Sequence, residues 1–159
     1  MMSRTITAIT LPLLLAAMIS AQTAYAGPSK SRKEKKTEAA SQQEEICRTL
    51  TYYYEGANMG AANAVEGALH PDAQITHLHT QSGQVDAMDV HQLLKNVNHG
   101  QAQRTTNLRL LNLDVDGDAA MVKVRVFDAT TGDRSVRYLH LVRTGNQWRI
   151  VNETAYQRS

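Results

Sequence analysis

The chain has 159 residues, 42% of them hydrophobic, with a formal net charge of +2 and a single cysteine. That length allows one domain and a leader. Residues 41–159 hold eleven Lys/Arg against thirteen Asp/Glu, which excludes nucleic-acid binding through a basic face, and one thiol excludes an internal disulfide.

Residues 1–26 read as a secretory signal peptide. Arg4 supplies a positive start and Ile6 to Ile19 an apolar run, too short to span a bilayer comfortably. Ala24-Tyr25-Ala26 then offers small residues at the cleavage positions. Cleavage after Ala26 implies a periplasmic or secreted protein with no stable membrane anchor. Residues 27–40, GPSKSRKEKKTEAA, carry five Lys/Arg and two Glu and few apolar side chains. This composition predicts a disordered basic linker.

From Ser41 the pattern turns helical. Ser41 and Glu44 have capping-box spacing, and Ile46, Leu50, Tyr53, Tyr54 and Ala57 recur on one helical face. Cys47, between Ile46 and Leu50, is expected as a small buried side chain. A second helix, 61–69, should stop before His70-Pro71. Residues 73–80 predict a strand. Asp86 or Asp89 can cap a third helix that presents Val90, Leu93, Leu94 and Val97 on one side.

After Gly100 four strands are predicted over 105–115, 119–127, 134–143 and 148–155. Asp116-Gly117-Asp118 and Thr144-Gly145-Asn146 mark turns between them. The fold class is therefore α+β, helices followed by an antiparallel meander. In the first of these strands Leu108 and Leu110 lie on one parity and Leu111, Leu113 and Val115 on the other, which predicts a bulge that bends the sheet.

Regular hairpins would place Val122 opposite Leu139, Val124 opposite Arg137, Leu141 opposite Ile150 and Leu139 opposite Asn152. One face then carries Val122, Val124, Leu139, Leu141, Trp148, Ile150 and Asn152 and should meet the helices. The other carries Met121, Lys123, Arg125, Phe127, Val136, Tyr138, His140, Val142, Val151 and Glu153. That mixture is too apolar for ordinary solvated surface, so a second chain is expected to cover it.

The order of elements, with ALHPDA at 68–73, VDGDAAMVKVRVF at 115–127 and VRYLHLVRTGNQWRIVN at 136–152, resembles the nuclear transport factor 2-like superfamily. Within it the chain is similar to the putative lumazine-binding and SnoaL-like subgroup. The resemblance spans about residues 42–156 and rests on fold markers, not on a catalytic motif. It implies a cone-shaped α+β barrel in which a strongly curved sheet wraps a long N-terminal helix. It also implies a hydrophobic pocket at the mouth of the cone and a homodimer packed sheet to sheet, which fits the mixed face, where Arg125, Phe127, Tyr138 and His140 are expected at the interface. Fold alone does not set activity here, since such folds serve isomerases, cyclases, dehydratases, adaptors and plain binders.

Residues 75–80, ITHLHT, carry the sharpest site signal. On a strand Ile75, His77 and His79 share a face. A His-x-His pair supplies two metal ligands, but a zinc site needs at least a third. His140 falls on the mixed face, the distances of His70, His91 and His99 are not set by the sequence, and no His-Glu-x-x-His or Cys-rich spacing is present. No metal and no cofactor are expected. The favoured reading is a cavity for a small apolar molecule, lined by Val122, Leu139, Trp148 and Ile150, with Tyr54, His77, His79 and Asn152 as polar groups. An isomerase, cyclase or dehydratase would use the same cavity with His77 or Asp72 as base. Against it, the apolar face of the meander shows no carboxylate, only Asn152. The remaining alternative is a protein-interaction adaptor.

Overall fold

The computed structural model describes residues 31–79, 82–100 and 106–158. The leader predicted over 1–26 lies outside them. Helix α1 spans Arg32–Met59 and starts nine residues before the expected Ser41. Ser31 and Glu34 have the same capping-box spacing as Ser41 and Glu44, and they take the role. The Glu34 N–H donates to Ser31 Oγ at 3.3 Å, and the Ser31 N–H donates to Glu34 Oε2 at 2.7 Å. The basic stretch from Arg32 to Ala40, expected as a disordered linker, is thus the first part of the helix. Lys, Arg, Glu and Ala are all strong helix formers, so low hydrophobicity there removes only the buried face.

That face begins at Ile46. Ile46, Leu50, Tyr53 and Tyr54 are buried, while Cys47, one residue off the stripe, is exposed and not the core residue expected. Gly60 ends α1 in the left-handed region at φ 70°. Helix α2, Ala62–Ala68, folds back at once against α1. Gly56 permits this close approach. A Cβ there would stand 3.0 Å from Ala64 Cβ and 3.2 Å from the Val65 backbone nitrogen. Gly56→Val should therefore push the helices apart and cost about 1–3 kcal/mol in urea denaturation. An unchanged midpoint would mean that α2 yields freely.

Strand β1, Leu69–Leu78, begins at the proline corner itself, earlier than residue 73. It turns into β2, Val85–Asp89, a short strand with no alternating pattern to announce it. Asp89 then caps α3, Val90–Asn98, by a capping box with Gln92. The meander follows as β3 (Thr106–Asp116), β4 (Ala119–Asp128), β5 (Arg134–Thr144) and β6 (Gln147–Arg158). One six-stranded sheet results, in the order β2-β1-β6-β5-β4-β3. Every pairing is antiparallel except β1 with β6.

Helix α1 lies on the inner side of the sheet. Its apolar stripe forms one core with Val122, Val124, Val126, Leu139, Leu141 and Ile150. Buried Thr49 donates to the Trp148 carbonyl at 3.1 Å, and Glu45 meets Arg143 at 3.2 Å, so α1 is also tied to the β5–β6 hairpin by polar bonds.

Two bulges shape the meander, and the β1–β6 pairing also shifts register between Leu69 and Gln74. The first, at Leu111, is the one predicted from the parity switch. Leu110 pairs with Val124 and Asn112 with Lys123, which returns Leu113 and Val115 to the core side. The second was not predicted. Leu141 pairs with Ile150 as expected, but His140 pairs with Asn152, leaving Val151 as the extra residue. Leu139 therefore faces Glu153 and not Asn152. A one-residue slip exchanges the faces of everything beyond it. Glu153 becomes an inner residue, and Asn152 moves to the outer face.

Candidate functional site

A cavity of about 390 Å³ opens between α1, α3, β1 and the inner side of β4–β6. Its volume is that of an ordinary small-molecule site. Apolar walls come from Ile75 and Leu78 on β1, Leu93 on α3, Val126 on β4 and Ala155 on β6. Helix α1 contributes Tyr53, Tyr54, Ala57 and Asn58, two adjacent pairs about one turn apart near its C-terminal end. Asn58 is fixed by Thr106 of β3, whose hydroxyl donates to its Oδ1 at 2.8 Å.

Arg137 of β5 forms the polar end. It lies on the same parity as Leu139 and Leu141, so the inward set of that strand carries it into the cavity wall. Its Nη1 donates to Glu153 Oε1 at 2.6 Å, and its Nε reaches the Ser135 hydroxyl at 3.5 Å. Glu153 is fully buried behind it. The guanidinium also stands 5.4 Å from the Tyr54 ring centroid, at cation–π range.

These charges set the protonation of the neighbouring rings. Burial raises the Tyr53 and Tyr54 pKa values well above the usual tyrosine range, and the Glu153 carboxylate adds to the rise. Both phenols stay neutral donors. Burial by itself would lower the Arg137 pKa, but Glu153 more than offsets it and the guanidinium is held charged. The Tyr54 hydroxyl and Glu153 Oε2 are buried without a hydrogen-bond partner.

The opposite wall holds the histidines of β1. His77 and His79 both line the cavity, with Ile75 buried below them. His79 Nε2 lies 2.8 Å from Asp86 Oδ2, across the hairpin to β2, and the Gln84 amide holds the other carboxylate oxygen at 3.2 Å. At the end of β4, buried Asp128 also lines the cavity, and its Oδ1 accepts from the Thr130 and Thr131 N–H groups in the turn to β5. Among the described residues no three His, Cys, Asp or Glu side chains gather as a metal site. No described helix is long and apolar enough to cross a membrane.

Residues 41–156 match the family model described as putative lumazine-binding. The chain belongs to this family. A nuclear transport factor 2-like protein of unknown function from Shewanella baltica OS155 superimposes with a TM-score of 0.65 at 14% identity, covering 82% of this chain and 99% of that one. A second, from Silicibacter pomeroyi DSS-3, gives 0.66 at 18% identity, covering 76% and 98%. A putative dehydratase of the same fold family from Streptomyces avermitilis gives 0.58 at 17% identity, covering 76% and 99%. At such identities the likeness is one of fold. No curated protein matches the chain.

Within this fold the expected site residues divide. Tyr54, His77 and His79 are brought together around the cavity. Val122, Leu139, Trp148 and Ile150 are buried in the core cluster and not among its lining residues. Asn152 is removed from the cavity by the Val151 bulge and pairs with His140 on the outer face. Asp72 is 92% exposed at the proline corner, beside His70, and does not line the cavity. The expectation that the inner face lacks a carboxylate is corrected by Glu153 and Asp128. Arg125, Phe127, Tyr138 and His140 all point outward, where Lys123 covers the Tyr138 ring at 5.1 Å and Arg134 the Phe127 ring at 5.8 Å. Arg137 and Asp128 were recoverable from strand parity. Glu153 was not, because the unannounced bulge reverses its face.

Proposed function

We propose that the protein binds a small, largely apolar molecule in this cavity and acts as an exported homodimer. The observation that carries the binding reading is the Tyr54 hydroxyl, buried without a partner in the wall of a preformed cavity. A buried hydroxyl left unpaired costs free energy, and a ligand oxygen is the natural way to recover it. Export rests on the leader-like sequence of residues 1–26. Dimerisation rests on the outer face of the sheet, where Met121, Tyr138 and Tyr156 are exposed large apolar side chains beside half-buried Phe127, Val136 and Val142.

A second reading, an isomerase, cyclase or dehydratase, is favoured by one feature. The His79–Asp86 pair adjoins the cavity with the geometry of a histidine oriented by a carboxylate. In that case His77 or His79 would act as the base, and Asp72, outside the cavity, would not.

Native mass spectrometry of the purified protein tests the first reading. A dimer that carries an additional organic mass is expected, and Tyr138→Glu should give a folded monomer. A bare wild-type dimer would speak against a resident ligand, and a dimeric Tyr138→Glu variant would overturn the sheet-face interface.

A further inference from the structure

The charges around Arg137 narrow the kind of molecule the cavity accepts. A lone arginine in an apolar cavity would recruit a carboxylate or phosphate. Arg137 is not alone. Its charge is cancelled at 2.6 Å by a carboxylate that no water reaches. Asp133 adds negative charge to the same cavity. His77 and His79 stand on the facing strand, with His79 already engaged by Asp86. A carboxylate entering beside Arg137 would lose its hydration and meet no net positive charge.

Hydrogen-bond donors are nevertheless plentiful there. A guanidinium carries five N–H groups, and the contacts to Glu153 and Ser135 engage Nη1 and Nε only. The Tyr54 hydroxyl is a further buried donor, next to that guanidinium and without a partner. Donors without net charge suit a neutral acceptor oxygen.

We infer that the Arg137–Tyr54 end of the cavity selects an uncharged molecule by its carbonyl oxygen and rejects carboxylates, with Glu153 as the residue that sets this preference. This rests on the small-molecule reading and specifies it. Tyr54 and Arg137 donate to the oxygen, while the rest of the ligand packs against Ile75, Leu93, Val126 and Ala155.

The test uses three naphthalenes of similar shape, a methyl ketone, an ethyl hydrocarbon and a carboxylate, titrated calorimetrically into the full protein at about pH 8, where the carboxylate ligand is fully ionised. The ketone should bind about three- to tenfold tighter than the hydrocarbon, as one or two net hydrogen bonds provide, and the carboxylate most weakly. Tyr54→Phe should reduce the ketone's advantage over the hydrocarbon. Glu153→Gln should raise carboxylate affinity, because Arg137 is then uncompensated. Equal binding of all three, or a preference for the carboxylate, overturns the inference and leaves the pocket reading standing. Binding of none overturns both. If Glu153→Gln does not fold, the wild-type order and Tyr54→Phe still decide.

Discussion

Arg137→Ala is expected to destabilise the protein by about 3–5 kcal/mol, close to the limit that a domain of this size tolerates. The cost does not measure the strength of the ion pair. Glu153 has no exposed surface, and its bond from Arg137 at 2.6 Å is the one that compensates its charge. Removing Arg137 leaves a carboxylate in the core that must either stay charged without a partner or take up a proton. Arg137→Met with Glu153→Leu removes both charges together, and such paired replacements are often neutral or stabilising. The double variant should therefore recover most of the lost stability in chemical denaturation. If it is as unstable as Arg137→Ala, the pair is holding the β5–β6 geometry and not merely cancelling a buried charge. By the inference above, the same double variant should lose the ketone preference, so stability and selectivity part company at this pair.

Stability should also fall steeply in alkali. Tyr53 and Tyr54 are buried, and their folded pKa values lie above the ordinary value of 10.0. A raised folded pKa means that the folded state holds its protons longer than the unfolded state. The stabilisation is complete below about pH 10 and is lost as pH rises above it. Each such group contributes a slope of about 1.4 kcal/mol per pH unit, so the two together approach about 3 kcal/mol per unit. Denaturation midpoints measured across the alkaline range should show this slope, and Tyr54→Phe should halve it. Absorbance of the folded protein should show that part of the phenolic signal of its six tyrosines appears only with unfolding. Full tyrosinate formation before unfolding would show that Tyr53 and Tyr54 are not sealed as the structure has them.

Both results depend on a cavity whose polar end was only half legible in the sequence. Tyr54 stands on the α1 stripe, and His77 and His79 share a strand face with Ile75, so local periodicity was enough to bring them forward. The parity of β5 likewise put Arg137 opposite Val124. The residue that gives Arg137 its character was misplaced. Glu153 and Asn152 are adjacent, and only the extra residue at Val151 decides which of them faces inward. Nothing in TGNQWRIVNETA announces a bulge, whereas in β3 the switch from Leu108 and Leu110 to Leu111 and Leu113 did. A bulge is visible in sequence when apolar residues lie on both sides of it, and hidden when the residue it turns inward is a charged one.

By itself the sequence determined the α+β class, the meander and its turns, the apolar stripe of α1 and a start for α3 at Asp86 or Asp89, of which the structure uses Asp89. All of these follow from near-neighbour spacing, where a period of two or of 3.6 fixes a face and a capping residue fixes an end. The tertiary structure decided the rest. It paired β1 in parallel with β6, some 80 residues apart in the chain, and added β2 at the sheet edge. It also slipped the β6 register by one residue. Those choices are made by contacts between distant segments, and no local pattern encodes them. They are also the choices that close the cavity and bury Glu153 beneath Arg137, which is why the fold could be read from the chain and the chemistry of its pocket could not.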